Sequence, residues 1–284
     1  MTDPDILTAN PSASDWASHR GAAWATHLSA MEATLEPVND PLITALSLGD
    51  QPLRIADLGC GGGATTRALK VRAASGSRID GFDISPDLIA AATADPRHDG
   101  LTFKVADLSV AAPPEGAYDR LVSRFGMMFF DDPAAAFANL RPWLTSGGLL
   151  AFAVWGKPED NPWMTVTAEV IGQFVPLPAP ITDAPGPFRY ADPAPLVTLL
   201  SQAGFRDVAV SVCCLDLWVG GGLTPGAATD FALSAFGVAS VLRDAEAETV
   251  TSVRTALAER FAGHIEANGH VRLSACVQLI TAKG

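Results

Sequence analysis

The run from Leu53 to Leu69, LRIADLGCGGGATTRAL, decides how the rest of the chain is read. It opens on a short apolar strand, Leu53, Ile55, Ala56 and Leu58. It then breaks into Gly59-Cys60-Gly61-Gly62-Gly63 and resumes as a helix-forming run to Lys70. Strand, glycine turn and helix start together make a binding device. Glycine permits a tight turn and close approach of a ligand to the backbone. The helix start offers free N–H groups and a positive dipole end. With Ala64 the turn even satisfies the loose dinucleotide pattern G-x-G-x-x-G/A. Asp57, two residues before the first glycine, argues otherwise. A carboxylate there would repel a pyrophosphate and suits a ligand with a positive end, such as an amino acid's ammonium. Orienting the turn's amides is a second role open to Asp57.

Outward from this turn, strands alternate with helices. Ser77–Phe82 is a strand ending at Asp83, and Ser85 caps a helix to about Ala94 with Pro86 at its first position. Leu101–Ala106 is a strand ending at Asp107. Tyr118–Ser123 is the next strand, Asp132-Pro133 opens a helix to Leu144, and Gly148–Trp155 is a strongly apolar strand. This alternation means right-handed βαβ units and a mainly parallel sheet. Before it, residues 12–35 place Trp16, Trp24, Leu28, Met31 and Leu35 at roughly helical spacing, and a short helix spans about 41–48. The reading is therefore an N-terminal helical arm over 1–50 and an α/β domain over 51–284. After Trp155 the rhythm changes: a helix over 161–174, a proline-rich loop over 176–187, a helix over 192–203 stopped by Gly204, and a strand over 208–218. Residues 227–262 are mostly helical, and 271–281 is a final strand.

The chain has 284 residues, 48% of them apolar, with 31 acidic against 19 basic side chains and a net charge of −12. One large α/β domain with insertions fits that length. No basic cluster exists, so nucleic acid is disfavoured as a partner. No apolar run is long enough to span a bilayer, so no membrane partner is expected. The acidic, polar start MTDPDILTANPSASDW is unlike a secretory signal, which favours a cytoplasmic protein. Cys60, Cys213, Cys214 and Cys276 show no C-x-x-C spacing, so reduced, buried thiols are expected. Cys213 and Cys214, neighbours on one strand, point to opposite faces.

Taken jointly, IADLGCGGG, FDIS, VADL, SRFGMMFF and WLTSGGLLAFAVWG resemble the class I S-adenosylmethionine-dependent methyltransferase family. Within it the chain is similar to the bacterial small-molecule enzymes related to the ubiquinone and menaquinone methyltransferases. The match runs from about Trp16 to Gly204. The resemblance implies a Rossmann-like sheet of seven strands in the order 3-2-1-4-5-7-6, the last antiparallel, with helical lid insertions near 156–204 and 216–268. It implies S-adenosyl-L-methionine as cofactor and S-adenosyl-L-homocysteine as product. It also gives roles. Asp83 accepts the ribose hydroxyls. Ile84, Ala106 and Leu108 pack on adenine, and Asp107 accepts its amino group. Gly59, Cys60 and Gly61 form the turn under the ligand, and Asp57 holds the methionine ammonium directly or through water. Ser123 meets the methionine end through its carbonyl, with Phe125 and Met128 beside it, while Phe129 and Phe130 belong to the core. Trp16, His19 and Trp24 lie in the arm that folds over the cofactor.

Methyl transfer from a sulfonium releases a neutral group, so orientation and exclusion of water carry most of the work. A base is needed only where the acceptor loses a proton. His19 is the candidate, since its helix borders the pocket; His27, His98, His264 and His270 read as structural or solvated. Ser123-Arg124-Phe125-Gly126 is not the [DN]-P-P-[YF] motif of amino-methylating nucleic-acid enzymes. No metal-ligand spacing and no Pro-Cys nucleophile occur. What is left is a small, largely apolar acceptor methylated at oxygen, carbon or nitrogen. Trp155, Trp163, Phe174, Phe188, Trp218, Phe231 and Phe236 are the aromatic residues available to a lid, Phe188 foremost. The competing readings are a cofactor-binding protein of the same fold with other or no catalysis, and a nicotinamide oxidoreductase. The sequence leaves a homodimer open.

Overall fold

A computed structural model describes residues 13–98, 100–113, 116–179, 181 and 183–284. Its centre is a seven-stranded sheet in the order β3-β2-β1-β4-β5-β7-β6. The strands are β1 Arg54–Leu58, β2 Arg78–Asp83, β3 Leu101–Val105, β4 Tyr118–Arg124, β5 Leu144–Trp155, β6 Arg206–Trp218 and β7 Arg272–Lys283. The first five run parallel to their neighbours; β7 is antiparallel to both β5 and β6. Residues 55–58 of β1 are all buried, as expected for a strand covered on both faces. Edge strand β6 has one buried residue, Leu217, in thirteen. The chain passes from β1 outward to β3, then returns to the other side of β1 with β4, which makes a topological switch point beside β1.

The helices are α1 Ala13–Ala17, α2 His19–Thr26, α3 Leu28–Leu35, α4 Asn39–Ala45, α5 Ala64–Arg72, α6 Pro86–Ala94, α7 Pro133–Leu140, α8 Pro162–Ile171, α9 Ala194–Gln202, α10 Pro225–Ala235 and α11 Ala247–Ala262. The caps read from sequence hold: Ser85 Oγ accepts from Leu88 N, and Asp132 Oδ1 accepts from Ala135 N at 3.0 Å. The arm is broken at Ser18 and His27 rather than continuous, which lets it bend around the sheet edge. It crosses α6 so closely that a Cβ on Gly21 would lie 2.1 Å from Ser85 Oγ and 2.5 Å from Trp16 O. Only glycine permits that crossing. The strand expected from Gly148 begins at Leu144, after α7 has stopped at Leu140 and a turn of 3-10 helix. The stretch 227–262 is two helices with a 3-10 segment, Gly237–Leu242, between them.

The main core gathers Trp143, Tyr118, Phe137 and Phe152, all essentially inaccessible. A separate small cluster of Ile171, Leu242 and Val253 sits between α8, the 237–242 segment and α11. Asn161, fully buried at the start of α8, clasps β7. Its Nδ2 donates to Cys276 O at 3.1 Å and its Oδ1 accepts from Cys276 N at 3.1 Å.

The cysteine expectation is corrected. Cys60 is a free buried thiol and Cys213 a free, half-buried one, but Cys214 and Cys276 form a disulfide. They stand directly opposite in the β6–β7 register, with Cα atoms 4.0 Å apart, so both sulfurs leave the same face of the sheet. A sequence separation of 62 hides that pairing from any motif. No helix of the described residues is long and apolar enough to cross a membrane. Residues 1–12 and the His98 side chain, both interpreted from sequence, lie outside the described residues.

Candidate functional site

A cavity of about 1340 Å³ opens at the carboxyl ends of β1, β2 and β4. Its floor is the glycine turn. Gly59 N and Cys60 N both donate to Phe82 O, at 2.8 and 2.9 Å. Gly61 N donates to Asp83 Oδ2 at 2.8 Å, so the turn is bonded to the tip of the neighbouring strand. Gly59 has φ +71°, and a Cβ there would stand 3.1 Å from Gly126 Cα. Both facts require glycine.

Asp83 ends β2 and faces the cavity at 8% exposure. Its Oδ1 accepts from Ser85 N at 2.9 Å. Burial pushes its carboxyl upward, and the N–H groups of Ser85, Gly61 and Ile84 hold it back. One main-chain donor on each oxygen fixes the carboxylate and leaves lone pairs for hydroxyl donors. Asp107 also lines the cavity; its Oδ1 accepts from Ser109 N at 2.9 Å and Ser109 Oγ at 2.6 Å. Ile84, Ala106 and Leu108, next to the two acids in sequence, line the cavity with them.

Asp57 and Ser123 lie behind this floor instead of on it. Asp57 is 1% exposed, and its Oδ2 accepts from Thr66 Oγ1 at 2.6 Å. Its Oδ1 has no partner. Burial raises its pKa to about 7, against the Thr66 bond and the charge of Arg124. Ser123 Oγ accepts from Gly126 N at 3.2 Å. Cys60 does line the cavity, but burial pushes its thiol well up, so it stays protonated and is no nucleophile.

Phe125 takes φ +66° and stacks on Trp155 with centroids 3.9 Å apart and planes 9° apart. A bulky residue at positive φ is strained, and such strain gathers at functional sites. From Trp155 the rings continue to Trp163 at 5.1 Å and Phe236 at 5.6 Å. Met128 lines the cavity, as do Trp24 and His19 from the arm. Phe129 and Phe130, expected in the core, line it too, and Phe129 packs 5.0 Å from Trp16. The roof comes from α8, the proline-rich loop and the 237–242 segment. The loop and the residues just after it are fastened to the segment following β4, by Gly186 N donating to Met128 O at 3.2 Å and by Arg189 donating to Phe130 O. Among the aromatic lid candidates, Trp155, Trp163, Phe188 and Phe236 reach the cavity; Phe174, Trp218 and Phe231 do not. Sequence reasoning missed Glu32 and Arg124, which form an ion pair on the cavity wall. A single acid on an amphipathic helix carries no periodic signal, although Arg124 sits inside a segment already singled out. No cluster suited to a metal occurs among the described residues.

Acids at the tips of neighbouring parallel strands, a glycine turn at the switch point and an aromatic cavity above define a nucleoside-binding α/β fold. A model described as a methyltransferase domain matches residues 56–152. A demethylmenaquinone methyltransferase of Thermus thermophilus is 32% identical over 171 residues, covering 56% of this chain and 77% of that one. The chain thus belongs to the class I S-adenosylmethionine-dependent methyltransferase family. It spans only 33% and 46% of two other curated relatives. Among solved structures, a Haemonchus contortus phosphoethanolamine N-methyltransferase with S-adenosyl-L-methionine superposes with TM-score 0.54 at 14% identity, covering 97% of this chain and 60% of that one. A (4+2)-cyclase superposes with TM-score 0.53 at 15% identity, covering 96% and 97%. At such identities these two likenesses describe the fold alone.

Proposed function

We propose that this protein transfers a methyl group from S-adenosyl-L-methionine to a small, largely apolar acceptor. The observation that carries the reading is Asp83: a buried strand-tip carboxylate, fixed by two main-chain donors and still able to accept from a ribose diol. The residues present suit that cofactor. Asp83 would take the ribose, Asp107 the adenine amino group, and Ile84, Ala106 and Leu108 the ring faces. Asp57, from behind the turn, holds Thr66 in the first turn of α5 through its Oδ2. When bound, the cofactor supplies an electrophilic methyl group on a sulfonium.

The chain's own work is then orientation and dryness. The rings of Phe125, Trp155, Trp163 and Phe236 present an apolar wall to the acceptor and keep water from the reacting centre. Phe188 and the proline-rich loop close over it, and the arm covers the other side. For an acceptor that must lose a proton, His19 is the histidine on the cavity wall. Its Nε2 lies 3.7 Å from Asp15 Oδ1. The acceptor reaches the site as a free small molecule in this reading, and the protein works in the cytoplasm, where the exposed Cys214 meets reducing thiols.

A second reading keeps the cofactor and changes the chemistry, since the same fold carries a cyclase. Calorimetry with S-adenosylhomocysteine and with NAD tests the site. Binding of the first and not the second is expected, and the reverse overturns the proposal. Incubation with methyl-labelled cofactor and a library of phenols, acids and amines tests the reaction. Tight cofactor binding without methyl transfer to any of them favours the second reading.

A further inference from the structure

Glu32 reaches from arm helix α3 to the glycine turn. A Cβ on Gly61 would lie 3.7 Å from its Oε1. Its Oε2 pairs with Arg124 Nη2, while none of the described residues bonds Oε1. Arg124 is fully committed in position, since its Nη1 donates to Leu35 O at 3.1 Å and to Asn39 Oδ1 at 3.2 Å. Both side chains are largely buried, at 17% and 7% exposure, and both line the cavity. A guanidinium anchored by the arm's own main chain therefore holds one oxygen of Glu32 and aims the group at the turn.

The charge balance at this end of the cavity is negative. Glu32, Asp57 and Asp83 converge on the turn, closely enough that Glu32 and Asp83 both oppose ionisation of Asp57. Arg124 opposes them from the cavity wall; Arg67, which donates to Gly62 O at 2.7 Å behind the turn, is offset by its own partner Asp95. An unspent carboxylate oxygen facing a cavity, in a region of surplus negative charge, calls for a cation with hydrogens to donate. Asp57 cannot serve directly, because it lies behind the wall and spends one oxygen on Thr66.

We propose that Glu32 is the acceptor for the α-ammonium of the cofactor's amino-acid end, with Arg124 as its positioning residue. This rests on the cofactor reading above. It makes the arm a wall of the cofactor site rather than a cover added over it: the ammonium joins α3 to the turn after β1. A salt bridge that only ties α3 to β4 is the competing account, and the two differ in which ligands notice its loss.

Calorimetry on the full chain decides between them, using S-adenosylhomocysteine and 5′-methylthioadenosine, which shares the nucleoside but has no amino-acid end. Glu32→Gln should weaken S-adenosylhomocysteine at least tenfold and change methylthioadenosine by less than twofold. An equal fall for both ligands, or no fall for S-adenosylhomocysteine, overturns the assignment. Glu32→Asp keeps the charge but withdraws it by one methylene. It should lower the preference for S-adenosylhomocysteine over methylthioadenosine even if Glu32→Gln does not fold, and an unchanged preference again overturns the proposal. If the unaltered protein binds neither ligand, the cofactor reading itself falls and takes this assignment with it.

Discussion

The floor and the roof of the cavity are built on different principles. The floor is main chain: Gly59, Cys60 and Gly61 donate to Phe82 O and Asp83, and Asp83 answers with both oxygens. The roof is mostly side chain: Trp163 packs edge-on against Phe236, Phe188 lines the cavity with them, and a small cluster of Ile171, Leu242 and Val253 backs α8. Main-chain hydrogen bonds fix a ligand's position to a fraction of an ångström, whereas apolar packing fixes mainly size and dryness. A floor of the first kind suits an invariant ligand, and a roof of the second kind suits one that differs between relatives.

Four measurements would break or sharpen that contrast. The largest effect should come from beneath the floor. Asp57 holds its proton in the folded state up to about pH 7, while an unfolded aspartate loses it near pH 4. The folded state therefore binds more protons across that window, so stability falls as pH rises from about 4 to 7 and levels off above. The upper bound is about 4 kcal/mol for three pK units. Asp57→Asn should flatten the melting temperature over this range; an unaltered slope would mean the group is solvated and the floor softer than drawn.

The disulfide at the outer edge comes next. Cys214→Ser should cost about 3 kcal/mol in urea unfolding under oxidising conditions, with S-adenosylhomocysteine affinity unchanged. A parallel loss of cofactor binding would show that the edge strands and the floor are one mechanical unit. Asp83→Ala follows: S-adenosylhomocysteine should bind at least tenfold more weakly, about 1.4 kcal/mol, with acceptor KM little altered at saturating cofactor. The smallest effect belongs to the roof. Once an acceptor is found, Phe188→Ala should raise its KM about fivefold, near 1 kcal/mol for one aromatic contact, and leave cofactor calorimetry untouched. Cofactor affinity falling with Phe188 would erase the division between the two surfaces.

The same contrast explains what the residues disclosed on their own. Gly59, Asp83 and Asp107 were legible because strand-end chemistry is local: a strand, a tight turn and an acid occupy neighbouring positions. The strand order followed from resemblance, and the alternation of elements supports it. The position of Glu32 was not legible, because it depends on how far the arm bends at Ser18 and His27 before α3 meets the turn. Phe129 and Phe130 read as core for a related reason: an apolar run looks the same whether the space beside it is filled or empty. Cys214 and Cys276 pair through a register that only two aligned strands create.

Asn161 shows how such a roof can be exchanged. Its carboxamide meets Cys276 with a donor and an acceptor, as the peptide of an adjoining strand would. The insertion carrying Trp163 and Met164 is thereby plugged into the sheet through groups that every amino acid possesses. Nothing in that socket depends on which side chains face the acceptor. Substitutions on the cavity side of α8 leave that clasp untouched, while Gly186 and Arg189 hold the neighbouring loop separately, so new specificities can arise here without rebuilding the foundation below.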